Sequence, residues 1–522
     1  MSQPIIHSSP LPDADIPDMA LTSYVLEHAA DHPDKPALID GPSGRTLTYG
    51  ELDGHIRALA GGLKARGFGK GDTMAIMAPN VPEYAVLFHG AAMAGGSVTT
   101  INPTYTAKEM NHQITDAKPS IMVTVGLFLD TAREAAKDST ITDVFTIDEV
   151  EGASQFTELF GETLDQQVPV DADDIVALPY SSGTTGLSKG VMLSHGNLVA
   201  NIAQTVSAAE LTPDESFVAV LPFFHIYGMQ VLMNSGLRVG ATIITMPRFD
   251  LEQFLSLNAE HHTTRAFVAP PIVVALAKHP LVDKFDLSSL EQIFSGAAPL
   301  SADTAEQAAK RLDCEVVQGY GMTELSPVSH LTTPGGYKPG SVGVTAPNTE
   351  CQIVDPISGD SLDIDGEGEL WVRGPQVMKG YLGRQEESDA TVDSDGWLHT
   401  GDVATVDSDG HVFIVDRLKE LIKYKGFQVP PAELESVLLN HPDVADSAVI
   451  GIPEESAGEI PVGYVVLKEG ATASAEDIME FVAGEVASYK KLQKITFLDE
   501  IPKSASGKIL RRELRDQASA EE

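Results

Sequence analysis

Residues 180–195 read YSSGTTGLSKGVMLSH, a stretch rich in Gly, Ser and Thr that carries a single lysine, Lys189. Glycines let a chain turn tightly and bring backbone N–H groups close to an oxyanion. Hydroxyl side chains add uncharged donors, and a lysine adds a mobile positive charge. The composition therefore predicts a loop that holds phosphate.

This loop matches neither of two common phosphate-binding patterns. The Walker pattern needs Gly-Lys-Ser/Thr at the start of a helix, whereas Lys189 follows Ser188 and precedes Gly190. The dinucleotide pattern GxGxxG is also absent, because GYGMTE at 319–324 lacks the last glycine. The run DIVALPY precedes the loop, and a helix is predicted to begin only after Ser194. We therefore expect a loop between two strands, whose amides, hydroxyls and lysine attract anions without a helix dipole.

Outside the loop, short apolar runs alternate with helical periodicity along most of the chain. Strands are predicted at 73–79, 120–125, 174–180, 241–246 and 315–321, and helices at 49–67 and 270–280. This alternation is typical of α/β layers with largely parallel sheets. The segment 217–233 is nearly all apolar but contains Pro222 and His225, so it is predicted to be a buried strand followed by a buried helix, not a membrane span.

The last third of the chain differs in composition. Residues 338–416 are rich in Gly, Asp and Pro between short alternating runs, which predicts a β-rich subdomain. Thirteen of the 35 Lys and Arg residues lie at or after Arg417. We therefore expect an N-terminal domain at 1–416, with the β-rich subdomain at 338–416, and a small basic α+β domain at 417–522.

The formal net charge of −40 excludes some classes of partner. So acidic a surface repels nucleic acids and anionic membranes. Two cysteines, Cys314 and Cys351, supply neither a disulfide framework nor metal-ligand spacing. The first residues lack the basic start and apolar run of a signal peptide, and the C-terminus lacks a peroxisomal tripeptide. These features predict a cytoplasmic protein with no integral membrane span.

Five motifs occur in a fixed order: YSSGTTGLSKGVMLSH at 180–195, GYGMTE at 319–324, WLHTGD at 397–402, DRLKELIKYKGFQVPPAELE at 416–435 and SGKILRREL at 506–514. Together they resemble the adenylate-forming superfamily of acyl-CoA synthetases, luciferases and peptide-synthetase adenylation domains. The strongest resemblance is to 4-coumarate–CoA ligases, through LPFFHIYG, IFSGAAPLS, QGYGMTELSPV and MKGYLGR. It implies two α/β subdomains in the large domain and a mobile C-terminal domain.

The resemblance also implies a reaction with ATP, CoA and Mg²⁺. A carboxylate attacks the α-phosphate of ATP and releases pyrophosphate, and CoA thiol then displaces AMP from the acyl-adenylate. Because two anions must meet at phosphorus, such a site has to supply positive charge and fixed donors. We expect an AMP-forming acid–thiol ligase.

The motifs carry the family's nucleotide-binding residues. Thr323 matches the threonine that binds the α-phosphate, and Glu324 matches the magnesium ligand, a role that suits a carboxylate. The residues expected to hold the triphosphate are Ser181, Ser182, Gly183, Thr184, Thr185 and Lys189.

The rest of the nucleotide is assigned to three further motifs. Gln318, Gly319 and Tyr320 are expected to flank the adenine. Asp402 matches the residue that accepts two O–H bonds from the ribose diol, and Arg417 matches a contact to the same nucleotide.

Lys508, in the SGK motif, matches the catalytic lysine that reaches the α-phosphate and the carboxylate during adenylation. It follows a glycine, which allows its loop to swing. Since this lysine has to be an uncapped amine, we expect a regulatory acetyltransferase that acts on Lys508.

The second half-reaction is assigned to neighbouring residues of the C-terminal domain. Lys423 and Gln428 match the family's thioester-forming residues, and Lys425 and Gly426 match its CoA contact. Lys419 occupies the hinge position about which the small domain rotates.

Cations in this part of the chain have an electrostatic purpose. ATP and CoA are anions that the overall acidic field repels, so local cations have to offset it. Four of the nine residues 417–425 are basic. Arg248 matches a further basic position that contacts CoA phosphate.

The acyl pocket is expected at residues matching the family's pocket positions, with His225 near the carboxylate. Plant ligases commonly carry a lysine, able to meet a ring hydroxyl, where this chain has Phe294, so the pocket is predicted to be more apolar. The other residues expected to line it are Ile226, Tyr227, Gly296, Gly321, Pro327 and Val328.

The sequence leaves open which carboxylic acid is the substrate. A (hydroxy)cinnamate-type aryl acid is the main expectation, and a medium- or long-chain fatty acid is the alternative. A carrier protein loaded in trans, a luciferase-type oxygenation and an inactive nucleotide-binding regulator are the other hypotheses, and intact Lys508, Glu324, Thr323 and Asp402 argue against the regulator.

Overall fold

A computed structural model describes residues 4–181, 188–425, 427–454, 457–505 and 507–520. Their backbone forms five sheets, each covered by helices or by another sheet. The α-helices are Leu21–Val25, Tyr49–Ala65, Glu83–Met93, Ala107–Ala117, Leu129–Ala136, His195–Ala208, Ser235–Val239, Leu251–Glu260, Pro270–Lys278, Ala302–Leu312, Gln385–Thr391, Pro431–Asn440, Ala475–Glu485 and Arg511–Ala520.

The first sheet has eight strands, and its central pairs are parallel. Its inner strands are buried almost throughout, as expected for a parallel sheet with both faces covered. In spatial order the strands are Lys189–Gly190, Ile175–Ser181, Ser97–Thr100, Thr73–Met77, Ile121–Thr124, Asp143–Thr146 and Ser154–Gln155, and Leu193–Ser194 also pairs with Ile175–Ser181. The strands predicted from apolar runs in this region are confirmed.

The second and third sheets complete the α/β part of the chain. The second contains Ser216–Ala219, Thr242–Thr245, Pro36–Asp40 and Thr46–Thr48. The third contains Arg265–Val268, Gln292–Ser295, Glu315–Gly321, Val328–Leu331 and Val344–Thr345, of which the first three are parallel. The expected α/β fold class, with largely parallel sheets, is confirmed.

The fourth sheet is antiparallel and covers the region predicted to be β-rich. Its strands are His7–Ser8, Glu350–Val354, Gly368–Arg373, Leu398–Val406 and Val412–Arg417. The edge strand His7–Ser8 comes from the start of the chain, which no local pattern indicated. Val344–Thr345, which falls inside the predicted subdomain, pairs with the third sheet instead.

The fifth sheet comes from the C-terminal part of the chain and has its own apolar core beneath Pro431–Asn440 and Ala475–Glu485. Its strands are Phe427–Val429, Ile422–Tyr424, Gly458–Leu467, Val444–Glu454 and Lys494–Phe497. We call the described residues from 422 onward the cap.

Local signals determine where the helices near the loop begin. Ser194 caps His195–Ala208 by accepting a hydrogen bond from the Asn197 N–H, while the Asn197 side chain accepts from the Ser194 N–H. Thr48 and Glu51 form the same reciprocal cap at Tyr49–Ala65. The predicted helix start after Ser194 is confirmed.

The apolar segment 217–233 forms a strand, Ser216–Ala219, followed by a buried π-helical stretch, Gly228–Asn234. In the described ranges, no helix has both the length and the apolar character that crossing a bilayer requires. Cys314 and Cys351 are both free thiols.

Candidate active site

The predicted site residues converge where parallel strands end. Ser181 ends Ile175–Ser181 in the first sheet, and Gly321 ends Glu315–Gly321 in the third. The carboxyl ends of parallel strands commonly form ligand crevices, because loops leave the sheet in different directions there. Two sheets therefore contribute to one cleft.

Lys189 begins the strand that follows residues 182–187, and the strand Ile175–Ser181 precedes them, so the predicted flanking strands are confirmed. Lys189 pairs with Ser181, and Gly190 pairs with Tyr180, in antiparallel register. The predicted phosphate residues Ser182, Gly183, Thr184 and Thr185 lie outside the described residues, as does Gly426.

Glu324 is a buried carboxylate held from two sides. Its Oε1 accepts hydrogen bonds from Ser181 Oγ at 3.0 Å and from Tyr381 Oη at 2.9 Å. Thr323 precedes it in the short turn Thr323–Leu325 and is half-buried. Neither of these two donors carries a charge.

Asp402 and its partners form a second polar group in the cleft. Tyr320 Oη donates to Asp402 Oδ2 at 2.5 Å, and Arg417 Nε lies 3.2 Å from Asp402 Oδ1. Burial and the nearby carboxylate raise the pKa of Tyr320 well above its ordinary value, so its phenol stays a donor. The structure thus brings together three residues from three of the predicted motifs.

Gln318 and Gly319 lie on the same strand as Tyr320. Gln318 is buried, and its side-chain oxygen accepts from the Leu300 N–H at 3.3 Å. Gly319 leaves room for the Phe294 ring, because a Cβ there would lie 2.5 Å from Phe294 Cζ.

Lys508 belongs to the cap, and its charge interacts with Arg417, Asp402 and Glu324 of this cleft. Burial and the charges of Arg417 and Arg511 lower its pKa to about 8, while Asp402 and Glu324 act in the opposite direction. Gly507 lets the loop that carries Lys508 pack closely against Ala269, because a Cβ at position 507 would lie 3.2 Å from Ala269 Cβ. The lysine is therefore placed electrostatically among the residues predicted to contact nucleotide and metal.

His225 is a neutral partner at the same place. Burial and, to a smaller extent, the charge of Lys508 together lower its pKa to about 4. Its Nδ1 accepts from the Tyr227 N–H at 3.3 Å, so Nε2 carries the proton of the neutral ring. His225 can donate one hydrogen bond without adding charge.

Tyr227 and Phe294, both expected to line the acyl pocket, form a buried aromatic wall. Tyr227 Oη donates to the Phe294 carbonyl oxygen at 3.3 Å. A Cβ at Gly296 would lie 2.9 Å from the Tyr227 ring, so the glycine makes room for it. Gly321 packs against Pro327, where a Cβ would lie 2.0 Å from the carbonyl oxygen. The predicted pocket residues Ile226, Pro327 and Val328 are likewise buried.

Five predicted residues do not join this group: Lys419, Lys423, Lys425, Gln428 and Arg248 are all exposed. Lys423 and Gln428 face each other as a cross-strand pair in the cap hairpin. The structure therefore assembles only part of the predicted set in the cleft.

Two residues near the loop were missed by sequence reasoning. Tyr381, which holds Glu324, lies in the MKGYLGR motif, so its position was flagged but its role was not. His112 Nε2 lies 2.9 Å from the Ser188 carbonyl oxygen at the end of the loop. No sequence pattern indicated that contact.

Comparison with known proteins shows the family of this chain. The family model for AMP-binding enzyme matches residues 25–382, and the model for the AMP-binding enzyme C-terminal domain matches residues 433–508. This chain belongs to the AMP-binding enzyme family.

Curated relatives of this family member align along nearly its whole length. 4-coumarate–CoA ligase 3 of Oryza sativa subsp. japonica is 43% identical over 99% of this chain and 95% of its own. 4-coumarate–CoA ligase 1 of Arabidopsis thaliana is 41% identical over 98% of this chain and 95% of its own. The predicted resemblance and the predicted enzyme class, an AMP-forming acid–thiol ligase, are confirmed.

Solved structures share the fold of this AMP-binding enzyme. ATP-bound MatB from Rhodopseudomonas palustris has a TM-score of 0.87 at 32% identity, over 96% of this chain and 99% of that one. The anthranilate CoA ligase AuaEII with anthranoyl-AMP has a TM-score of 0.91 at 25% identity, over 97% and 98%.

Proposed function

We propose that the protein joins a cinnamate-type aryl acid to coenzyme A in two ATP-dependent half-reactions. First the acid's carboxylate oxygen attacks the α-phosphorus of ATP and pyrophosphate leaves. Then the CoA thiol, losing its proton, attacks the acyl carbon and AMP leaves. The observation that supports this most is the location of Lys508 in one cleft with Glu324, Asp402 and His225.

Lys508 is proposed to act in the first half-reaction. A partly buried ammonium attracts developing negative charge more strongly than it would in bulk solvent. With a pKa of about 8, it is mainly protonated at neutral pH. It would neutralise repulsion between the incoming carboxylate and the α-phosphate, and neutral His225 would donate a hydrogen bond beside it.

Asp402, Arg417 and Tyr320 are proposed to bind the nucleoside end of ATP. Asp402 is held by Tyr320 and Arg417 and can accept hydrogen bonds from the ribose hydroxyls. Thr323 would donate to the α-phosphate, and Gln318 and Gly319 would border the adenine.

Magnesium fits the donors around Glu324. Among the described residues, Oε2 of Glu324 accepts no hydrogen bond, and no three metal-ligating side chains lie close enough to form a cage. Mg²⁺ commonly binds one or two carboxylates together with substrate phosphates and water. Glu324 would hold the ion, which would offset phosphate charge, and Ser181 and Tyr381 would orient the carboxylate.

The second half-reaction is proposed to use the exposed cap residues. We propose that 417–522 is a separate mobile domain hinged at Lys419, and that its rotation brings Lys423 and Gln428 to the cleft. Lys425 and Gly426 would then contact CoA, and Arg248 would contact its phosphate.

The preference for an aryl acid is supported by the wall of Tyr227 and Phe294, whose rings are buried. Phe294 offers no polar group to a ring hydroxyl, so cinnamate is expected to be used better than 4-coumarate. A pyrophosphate-release screen with ATP, Mg²⁺ and CoA across cinnamates, benzoates and C6–C18 fatty acids tests this. Faster turnover of a fatty acid than of every aryl acid would contradict the proposal.

Two further parts of the proposal concern the cell. We propose a cytoplasmic location, consistent with the two free thiols. We also propose that an acetyltransferase regulates Lys508, because a pKa of about 8 leaves part of the amine neutral and nucleophilic at physiological pH. Finding acetylated Lys508 in fully active enzyme by mass spectrometry would contradict that regulation.

A further inference from the structure

Lys189, the cation expected to hold the departing phosphates, already has an anionic partner. Its Nζ lies 2.5 Å from Glu387 Oε2, and the other oxygen, Oε1, accepts from Arg384 Nη1 at 3.0 Å. These two cations lower the pKa of Glu387, so the carboxylate is charged at neutral pH. A carboxylate therefore lies where the proposed function needs a phosphate oxygen.

The backbone holds this pair together. Gly190 accepts a hydrogen bond from the Leu382 N–H at 2.8 Å, and Met192 accepts from the Lys379 N–H at 2.9 Å. The chain just after the loop is thereby paired with the chain just before Gln385–Thr391, the helix that carries Glu387. The contact is thus a consequence of chain pairing rather than of two long side chains meeting at random.

Tyr381 connects this pair to the predicted metal ligand. Lys189 Nζ lies 4.6 Å from the centre of the Tyr381 ring, a cation–π distance. The hydroxyl of the same ring donates to Glu324. Lys189 is therefore kept at the cleft, beside the carboxylate expected to bind magnesium.

We propose that Glu387 is an internal competitor of the triphosphate for Lys189, an inference that rests on the proposed role of Lys189. Glu387 holds the lysine while no nucleotide is bound, and the β- and γ-phosphates displace it. Arg384 remains with Glu387 after the exchange, so the released carboxylate is not left without a partner. When pyrophosphate departs, Glu387 takes the lysine back.

The competition has a selective consequence. Ligands that carry β- and γ-phosphates, such as ATP and pyrophosphate, have to displace Glu387. AMP lacks those groups and does not. Neutralising Glu387 should therefore raise the affinity for ATP and pyrophosphate and leave the affinity for AMP unchanged. A general change in the acidic field would affect the binding of all three ligands.

The test compares Glu387→Gln with Glu386→Gln, a matched charge removal at an exposed position of the same helix. Dissociation constants are measured by calorimetry for α,β-methylene-ATP, pyrophosphate and AMP, with Mg²⁺ present. For Glu387→Gln we expect α,β-methylene-ATP and pyrophosphate to bind roughly two- to fivefold more tightly, as for a partly exposed ion pair. AMP binding should be unchanged, and Glu386→Gln should behave as the wild type.

Several results would overturn the inference. The inference is contradicted if Glu387→Gln raises the affinity for AMP as much as that for α,β-methylene-ATP, or if it lowers the affinity for α,β-methylene-ATP. Identical behaviour of the two Gln variants would also contradict it. The variant Lys189→Ala distinguishes failure of the competition from failure of the proposed role of Lys189. If Lys189→Ala weakens the binding of α,β-methylene-ATP while Glu387→Gln has no effect, only the competition is contradicted. If Lys189→Ala has no effect, the proposed role of Lys189 fails as well. Should Glu387→Gln not fold, Glu387→Asp shortens the reach to Lys189, and unchanged pyrophosphate affinity in that variant would refute the proposal.

Discussion

Two parts of the same cap differ in where they place their functional residues. Lys508 lies inside the cleft beside residues of the third and fourth sheets, whereas Lys423 and Gln428 lie on an exposed hairpin. Both sets are basic or polar, and the sequence predicted catalytic roles for both. In this structure the residue proposed for adenylation interacts with the cleft, and the residues proposed for thioester formation are exposed to solvent.

Under the proposed function one cleft would serve two reactions, with each set of residues acting in turn. Variants of Lys508 and variants of the hairpin that carries Lys423 and Gln428 should consequently affect different half-reactions.

The largest effect is expected from Lys508→Ala. Removing the ammonium that stabilises developing charge should slow acyl-adenylate formation roughly 10²–10³-fold. Thioester formation from preformed acyl-AMP should be largely retained, because Lys508 is proposed to act only in the first half-reaction. Pyrophosphate release and acyl-CoA formation from acyl-AMP are measured separately. An equal loss of rate in both would contradict the proposal that Lys508 acts in the first half-reaction alone.

Lys423→Ala and Gln428→Ala should show the reverse pattern with a smaller effect. We expect thioester formation to slow about 10- to 100-fold and adenylation to stay within about twofold, because both residues are exposed when Lys508 occupies the cleft. Single-turnover transfer from acyl-AMP to CoA is the measurement. Unimpaired transfer in both variants would show that the hairpin is not the second active face.

The pH dependence should also differ between the halves. Because burial and neighbouring arginines lower the pKa of Lys508 to about 8, the ammonium is present below that pH and lost above it. We expect kcat/KM for adenylation to fall about tenfold per pH unit above pH 8. Lys508→Arg keeps its charge, so the decline should vanish from its residual activity. A decline of equal size in that variant would assign it to another group.

The smallest effect is expected where the Lys508 loop meets Ala269. Gly507 has a φ of +83° and leaves only 3.2 Å for a Cβ, whereas Gly470 has a φ of +80° and open space around it. Gly507→Ala and Gly470→Ala therefore share a backbone cost of roughly 1–2 kcal/mol, the cost of placing an L-residue in the left-handed region. Adenylation should fall about threefold further in Gly507→Ala, since poor seating displaces the lysine. Equal rates would mean that the seat at Ala269 does not position Lys508.

Much of the fold could be read from local patterns. The helix at 49–65 follows from amphipathic spacing and a Thr48–Glu51 capping box, and the helix after Ser194 follows from a similar start signal. Such signals involve residues a few positions apart, so they are visible in a single sequence. The strand His7–Ser8 was missed because its partner lies some 340 residues away, and no local pattern specifies so distant a pairing.

The site divides in the same way. The motifs pointed to Glu324, Asp402, Arg417 and Lys508, and the structure places these in one cleft. The contact between Lys189 and Glu387 could not be foreseen, because Glu387 is one of 75 acidic residues and nothing local distinguishes it. The pairing of the backbone at 190–192 with that at 379–382 brings Glu387 close to Lys189.

The sequence by itself determined the chemistry: the types and order of residues needed to bring two anions together at phosphorus. Only the tertiary structure decided which of those residues meet now. Residue identity sets what a group can donate, accept or carry as charge, and this is a local property. Which groups share a cleft, and how far burial moves the pKa of Lys508 and His225, depends on how distant segments pack together.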